Sequence, residues 1–120
     1  MSWEIILVPE VHDWFLDLDD LSASLVRDAV EVLAERGPLL GRPLADRITG
    51  SRLHNLKELR PGSAGRTEIR ILYIFDPQRQ AVLLVAGDKA GRWTRWYDDA
   101  IKLAEERYDR YLATPPEEIR

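Results

Sequence analysis

The sequence predicts an α+β fold: an N-terminal strand, a helical hairpin, a three-stranded antiparallel meander and a C-terminal helix. Three observations carry this reading. Ala81 to Ala86 is an unbroken apolar run, as in a strand buried on both faces. Arg66 to Phe75 alternates with period two, as a strand does. Three other stretches instead repeat their apolar residues at helical spacing. The chain has 120 residues, 45% hydrophobic and 32% charged, which suits one globular domain. We place that domain at residues 1–113, with 114–120 as a frayed tail containing Pro115-Pro116.

Taken in order, Trp3 to Val8 is β-rich and ends at Pro9. Val11, Trp14, Phe15 and Leu18 then recur at i, i+3, i+4 and i+7, the stripe of a short amphipathic helix. Asp17, Asp19 and Asp20 follow. We read them as a solvated helix junction rather than a cation site. Asp20 or Ser22 is expected to cap a second helix running to Arg36, with Leu21, Leu25, Ala29, Val32 and Leu33 as its stripe. Gly37-Pro38 stops it. Two helices with a short link form a hairpin over one sheet face.

Pro38 to Gly50 reads as a loop. Leu53 to Arg60 reads as a strand with Lys57 and Leu59 on one face and His54, Leu56, Glu58 and Arg60 on the other. Pro61 to Gly65 is a turn. In the next strand Thr67, Ile69, Ile71, Tyr73 and Phe75 share one face, and Arg66, Glu68, Arg70, Leu72 and Ile74 the other. Asp76-Pro77-Gln78 is a turn, and Gly87 to Arg92 is a loop. Thr94 is expected to cap a helix from Arg95 to Leu112, packed through Tyr97, Ala100, Ile101, Ala104, Tyr108 and Tyr111.

Charge is distributed unevenly. The chain carries a net −4, which suits a nucleic-acid partner poorly if the sum alone is considered. Between Arg52 and Arg95, however, nine Lys and Arg face four acids, a local +5 that leaves the remainder at −9. There are no cysteines, so disulfides and thiolate chemistry are excluded. The N-terminus has neither the basic flank nor the apolar length of a signal peptide or membrane span, so a cytoplasmic location is expected.

Common catalytic signatures are missing. His12 and His54 stand alone, the glycines match no phosphate-cradling loop, and no serine sits in a nucleophile elbow. What remains is a Lys/Arg set on adjacent strands: Lys57, Arg60, Arg66, Arg70 and Lys89. Fixed cations can stabilise the charge that builds on a phosphorane during attack by a 2′-hydroxyl, with neither metal nor histidine. The opposing reading pairs the same residues with Glu58 and Glu68 across the sheet surface. Arg70 is the sharpest case, since a mid-strand Arg among apolar neighbours is costly unless paired or used. Trp93, beside Arg92 in a loop, is placed to stack on an unpaired base. Trp96 and Tyr97 read as core.

These residues resemble a known family. Leu56-Lys57-Glu58-Leu59-Arg60, Arg66, Arg70 to Phe75, Val82 to Ala86, Lys89 and the helix with Arg107 and Tyr111-Leu112 are similar to the RelE/ParE superfamily of type II toxins, HigB-like branch. The resemblance spans nearly the whole chain. It implies a toxin that cleaves mRNA in the ribosomal A site and inhibits translation, without metal or cofactor. It also implies a cognate antitoxin, often a helix-turn-helix protein. By position, Lys57, Arg66, Arg70 and Lys89 line the active surface, and His54, Arg60 and Arg92 touch RNA. Tyr97 is the nearest counterpart of the family's frequent C-terminal catalytic Tyr or His. Two alternatives stay open: a ParE-like toxin directed at gyrase, and an inactive module that only holds an antitoxin.

Overall fold

A computed structural model describes residues 2–114; of the tail expected over 114–120, all but Thr114 lies outside them. Strand β1 (Glu4–Leu7) leads into helices α1 (Pro9–Leu16) and α2 (Asp20–Arg36). A 3-10 turn (Gly37–Leu39) follows, then strands β2 (Ala45–Arg47), β3 (Lys57–Leu59), β4 (Ile69–Phe75) and β5 (Gln80–Asp88), and helix α3 (Trp93–Ala113). The five strands form one sheet in the order β1-β5-β4-β3-β2. The expected meander is present as antiparallel β3-β4-β5, while β1 joins β5 in parallel.

Local chemistry explains where elements start and stop. Pro9 opens α1, where its missing N–H costs nothing. Asp19, not Asp20 or Ser22, caps α2, accepting the Ser22 amide at 3.1 Å. Thr94 lies inside α3 rather than capping it; Arg92 holds that position. The strand expected from Leu53 is only three residues long, because Leu56 N–H turns back to the Leu53 carbonyl. Strand β4 begins at Ile69, not Arg66, because Gly65 takes φ 65° and the Thr67 hydroxyl donates to the Ala64 carbonyl. Strand β2 is an addition within the expected loop. Buried Ala45 pairs with Leu59, and Asp46 bonds Arg42 and Arg60.

The helices cover both sides of the sheet. The α1–α2 hairpin packs on the face that carries Ile71 and Leu83. Helix α3 crosses the other, where the Trp96 ring sits on the Gly87 backbone and Arg107 donates to the Leu84 carbonyl. Ile71, Leu72, Tyr73, Val82 and Leu84 are therefore all sealed, and a bulge at Leu72/Tyr73 breaks the simple alternation of β4. The second face of β4 is thus closed over much of its length, whereas the sequence suggested an open basic surface. Among the described residues no helix is long and apolar enough to cross a membrane.

Helices α1 and α3 are clasped by Glu10, which accepts two hydrogen bonds from Arg110 at 2.6 and 2.7 Å. The Arg110 hydrogen bond holds the Glu10 carboxyl at about 2, against a usual 4.5. A depressed folded pKa stabilises above the unfolded value and is lost as pH falls through the folded one. The clasp should therefore weaken from pH 4.5 down to about 2. Glu10 is 38% exposed, so solvent limits the effect to about 0–1 kcal/mol. Urea titrations of Arg110→Ala against wild type should differ at pH 7 and converge near pH 2.

Candidate active site

The site grows from the alternation of β3. Lys57 and Glu58 point to opposite faces, and the register Glu58↔Leu72 brings Arg70 diagonally across from Glu58. Glu58 is 4% exposed. Its Oε1 accepts the Tyr97 hydroxyl at 2.7 Å, with Arg70 Nε 3.4 Å away. Its Oε2 lies 3.4 Å from Arg60, whose guanidinium also meets Asp46 at 3.2 Å. One carboxylate thus gathers two arginines and a phenol from three elements. The compensation is incomplete: the Nε atoms of Arg60 and Arg70 are buried without a hydrogen-bond partner, an expensive state for such donors.

Above Glu58 opens a cleft of about 420 Å³. Ile48 and Thr49 form one wall, and Trp93, Tyr97 and Asp98 of α3 the other. Trp93 is 57% exposed. Burial, reinforced by the Glu58 bond and charge, pushes the Tyr97 hydroxyl up to about 12, so it is a proton donor at neutral pH. Arg60 is held above its ordinary value: burial works against the charge, and Glu58 and Asp46 outweigh it. Among the described residues no group of three His, Asp or Glu could hold a metal ion.

The residues singled out in the sequence divide. Trp93 lines the cleft, Arg60 and Arg70 meet at Glu58 in its lining, and Lys89 backs Trp93. Lys57 does not: its ammonium lies on the hairpin face, 3.5 Å from the Pro38 carbonyl and over the Phe75 ring. Arg66 is exposed in the turn before β4, and His54 in the loop before β3. Arg92 is exposed at the start of α3, 3.8 Å from Asp99. The five cations therefore form no single open patch.

Lys89 sits behind the cleft rather than in it. It is 4% exposed, with its ammonium 3.6 Å from the Trp93 ring, 5.5 Å from Tyr97 and 3.5 Å from Glu68. A desolvated cation on an indole contributes about 2 kcal/mol. Lys89→Met should keep the fold, lose about 1–2 kcal/mol and raise acrylamide quenching of Trp93.

The residues by themselves made Glu58 only an ion-pair partner and Tyr97 core, while the resemblance made Tyr97 the nearest counterpart of a catalytic Tyr or His. The signal was present in Glu58 and Arg60 sharing one strand face, but Tyr97 reaches them only through the packing of α3.

The sheet order, the hairpin on one side and the cleft beside α3 define a RelE-type α+β domain. Residues 13–109 match the phage-derived protein Gp49-like (DUF891) family. The chain belongs to that family, within the HigB-like toxins of the RelE superfamily. It is 48% identical over 110 residues to the Mycobacterium tuberculosis protein named "Putative toxin HigB3", covering 92% of this chain and 94% of that one. It is 56% identical over 106 residues to "Putative toxin HigB2" of the same organism. That match takes in 88% of this chain, which spans about half (53%) of the relative. The fold also matches a free mutant of the E. coli toxin RelE, with a TM-score of 0.61, 12% identity and coverage of 85% and 97% of the two chains.

Proposed function

We propose that this protein is the toxin of a type II toxin-antitoxin module and a metal-independent endoribonuclease that cleaves mRNA on the ribosome. The single observation behind the enzymatic part is the Glu58–Tyr97 pair, flanked by Arg60 and Arg70, at the floor of an open cleft. In this reading Glu58 takes the proton from a 2′-hydroxyl as its oxygen attacks phosphorus. Tyr97, kept protonated by burial, gives a proton to the departing 5′-oxygen. The products are a 2′,3′-cyclic phosphate and a 5′-hydroxyl. Arg60 and Arg70 supply positive charge beside the phosphorane, and Trp93 stacks on a neighbouring base. Lys57 and Arg66 take no part in the chemistry, and Lys89 acts by supporting Trp93. The cognate antitoxin, a helix-turn-helix protein as the resemblance implies, is the expected partner, in the cytoplasm.

A second reading is favoured by the carboxylates. Glu58, Asp46 and Glu68 neutralise the same cations, as a module that only binds an antitoxin would require. Induced expression of wild type and Arg70→Ala, with primer extension on cellular mRNA, separates the two. Removal of one transition-state donor is expected to lower cleavage by about 10²–10³. Equal cleavage in both removes Arg70 from the site. No cleavage by the wild type selects the binding module, or a gyrase-directed toxin if a DNA-damage response appears instead.

A further inference from the structure

The cleft is the open end of a seam between α3 and the segment 47–52. Asp98, Ile101, Glu105 and Asp109 recur at i, i+3, i+7 and i+11, one stripe of α3. Farther along the helix the seam is closed. Glu105 accepts the Ser51 hydroxyl at 2.8 Å and the Arg52 amide at 3.0 Å, and Arg52 also pairs with Asp109. Toward the start of α3 the walls part, and Asp98 lines the opening. Arg47, the last residue of β2, lines it beside Ile48 and Thr49. Arg47 and Asp98 are both exposed. Their sequence neighbours are paired, Asp46 with Arg42 and Arg60, and Asp99 with Arg92. Arg47 and Asp98 themselves form no ion pair among the described residues, not even with each other.

Two opposite charges that share a cleft without meeting leave room for a neutral group between them. A carboxylate only accepts hydrogen bonds, and a guanidinium only donates them. The group that fits therefore has a donor edge and an acceptor edge. Among the nucleobases guanine alone offers both. Its N1–H and N2–H₂ lie side by side on one edge, and its O6 and N7 on the next, where arginine binds in a bidentate manner. Adenine mixes donor and acceptor on each edge, cytosine has one donor group beside two acceptors, and uracil has one donor between two acceptors. We infer that this cleft selects guanine: Asp98 accepts from N1–H and N2–H₂, Arg47 donates to O6 and N7, and the exposed Trp93 ring stacks on the base. Arg47 and Asp98 are thus specificity-determining residues. The inference rests on the ribonuclease reading only for the source of the base, a single-stranded RNA.

The test uses four fluorescein-labelled 2′-O-methyl pentanucleotides, uridine throughout except for a central G, A, C or U. They lack the attacking hydroxyl, so anisotropy of the full chain with each measures binding without cleavage. The guanine form is expected to bind about tenfold more tightly than the others. Asp98→Asn should weaken the guanine complex and bring the four affinities together. The sign is diagnostic, because loss of a negative charge strengthens RNA binding by diffuse attraction. Arg47→Met should weaken the guanine complex more than the other three. Both positions are exposed, so Tm should hold in each variant. Equal affinity of wild type for the four, or binding of none, overturns the inference. So does an Asp98→Asn variant that holds the guanine form as tightly as wild type or more so. Primer extension with wild type keeps the two readings apart. A guanine preference in binding without any mRNA cleavage leaves the guanine site standing and removes the nuclease; cleavage without that preference does the reverse.

Discussion

Glu58→Ala is expected to lower both stability and activity, with the larger fall in activity. Removal of this carboxylate leaves the Tyr97 hydroxyl without its acceptor and Arg70 without its counter-charge in a buried setting. Breaking a buried pair in this way costs roughly 3–5 kcal/mol. Arg60 is a third exposed and keeps Asp46 as a partner, so a value near the lower end, about 3 kcal/mol, is expected. Glu58→Gln separates the two effects. An amide oxygen still accepts from Tyr97, so part of the stability should return although Arg70 stays without its counter-charge, and the amide cannot take a proton. RNA cleavage should stay down by about 10²–10⁴. Urea midpoints together with primer extension check both variants. A Gln variant that is stable and fully active would remove Glu58 as the base while leaving its structural role intact.

Gly37→Ala should be the most damaging small substitution outside the site. Gly37 ends α2 at φ 55° and ψ −137°, a conformation that L residues rarely adopt. A Cβ at this position would also meet the indole of Trp3. That ring cannot yield freely. It packs edge-on against Phe75 at 4.9 Å, lies under Arg79 at 4.2 Å, and its backbone N–H bonds the Ala34 carbonyl at 2.7 Å. Backbone strain of about 1–3 kcal/mol adds to overpacking of similar size. A loss of about 3–4 kcal/mol is expected, measured as a fall in urea midpoint. Trp3→Ala in the same background should recover part of the steric share, and its failure to do so would assign the cost to the backbone.

The two predictions differ in how far they were legible in the chain. Gly37-Pro38 was readable as a helix stop from residue types alone. That Trp3 occupies the space over Gly37 was not, because the two meet only when β1 aligns beside the end of α2. The same divide runs through the site. Period-two spacing placed Glu58 and Arg60 on one face of β3 and Lys57 on the other, as observed. It also set Arg66 in the strand with Arg70, whereas Gly65 and Thr67 make a turn there and leave Arg66 exposed.

Residue spacing and turn chemistry by themselves determined the order of the elements other than β2, the meander and the stripes of α1 and α3. These depend on neighbours a few positions apart. In α2 the buried side is Ser22, Val26, Ala29 and Leu33, and the expected Leu21 is exposed. Only the tertiary structure decided that α3 closes the second sheet face, that β1 lies parallel to β5, and that Tyr97, Arg60 and Arg70 converge on Glu58. The reason is physical: a side chain's charge partner is whatever the packed helix brings within a few ångströms, and in this chain Tyr97 and Glu58 are separated by 39 residues.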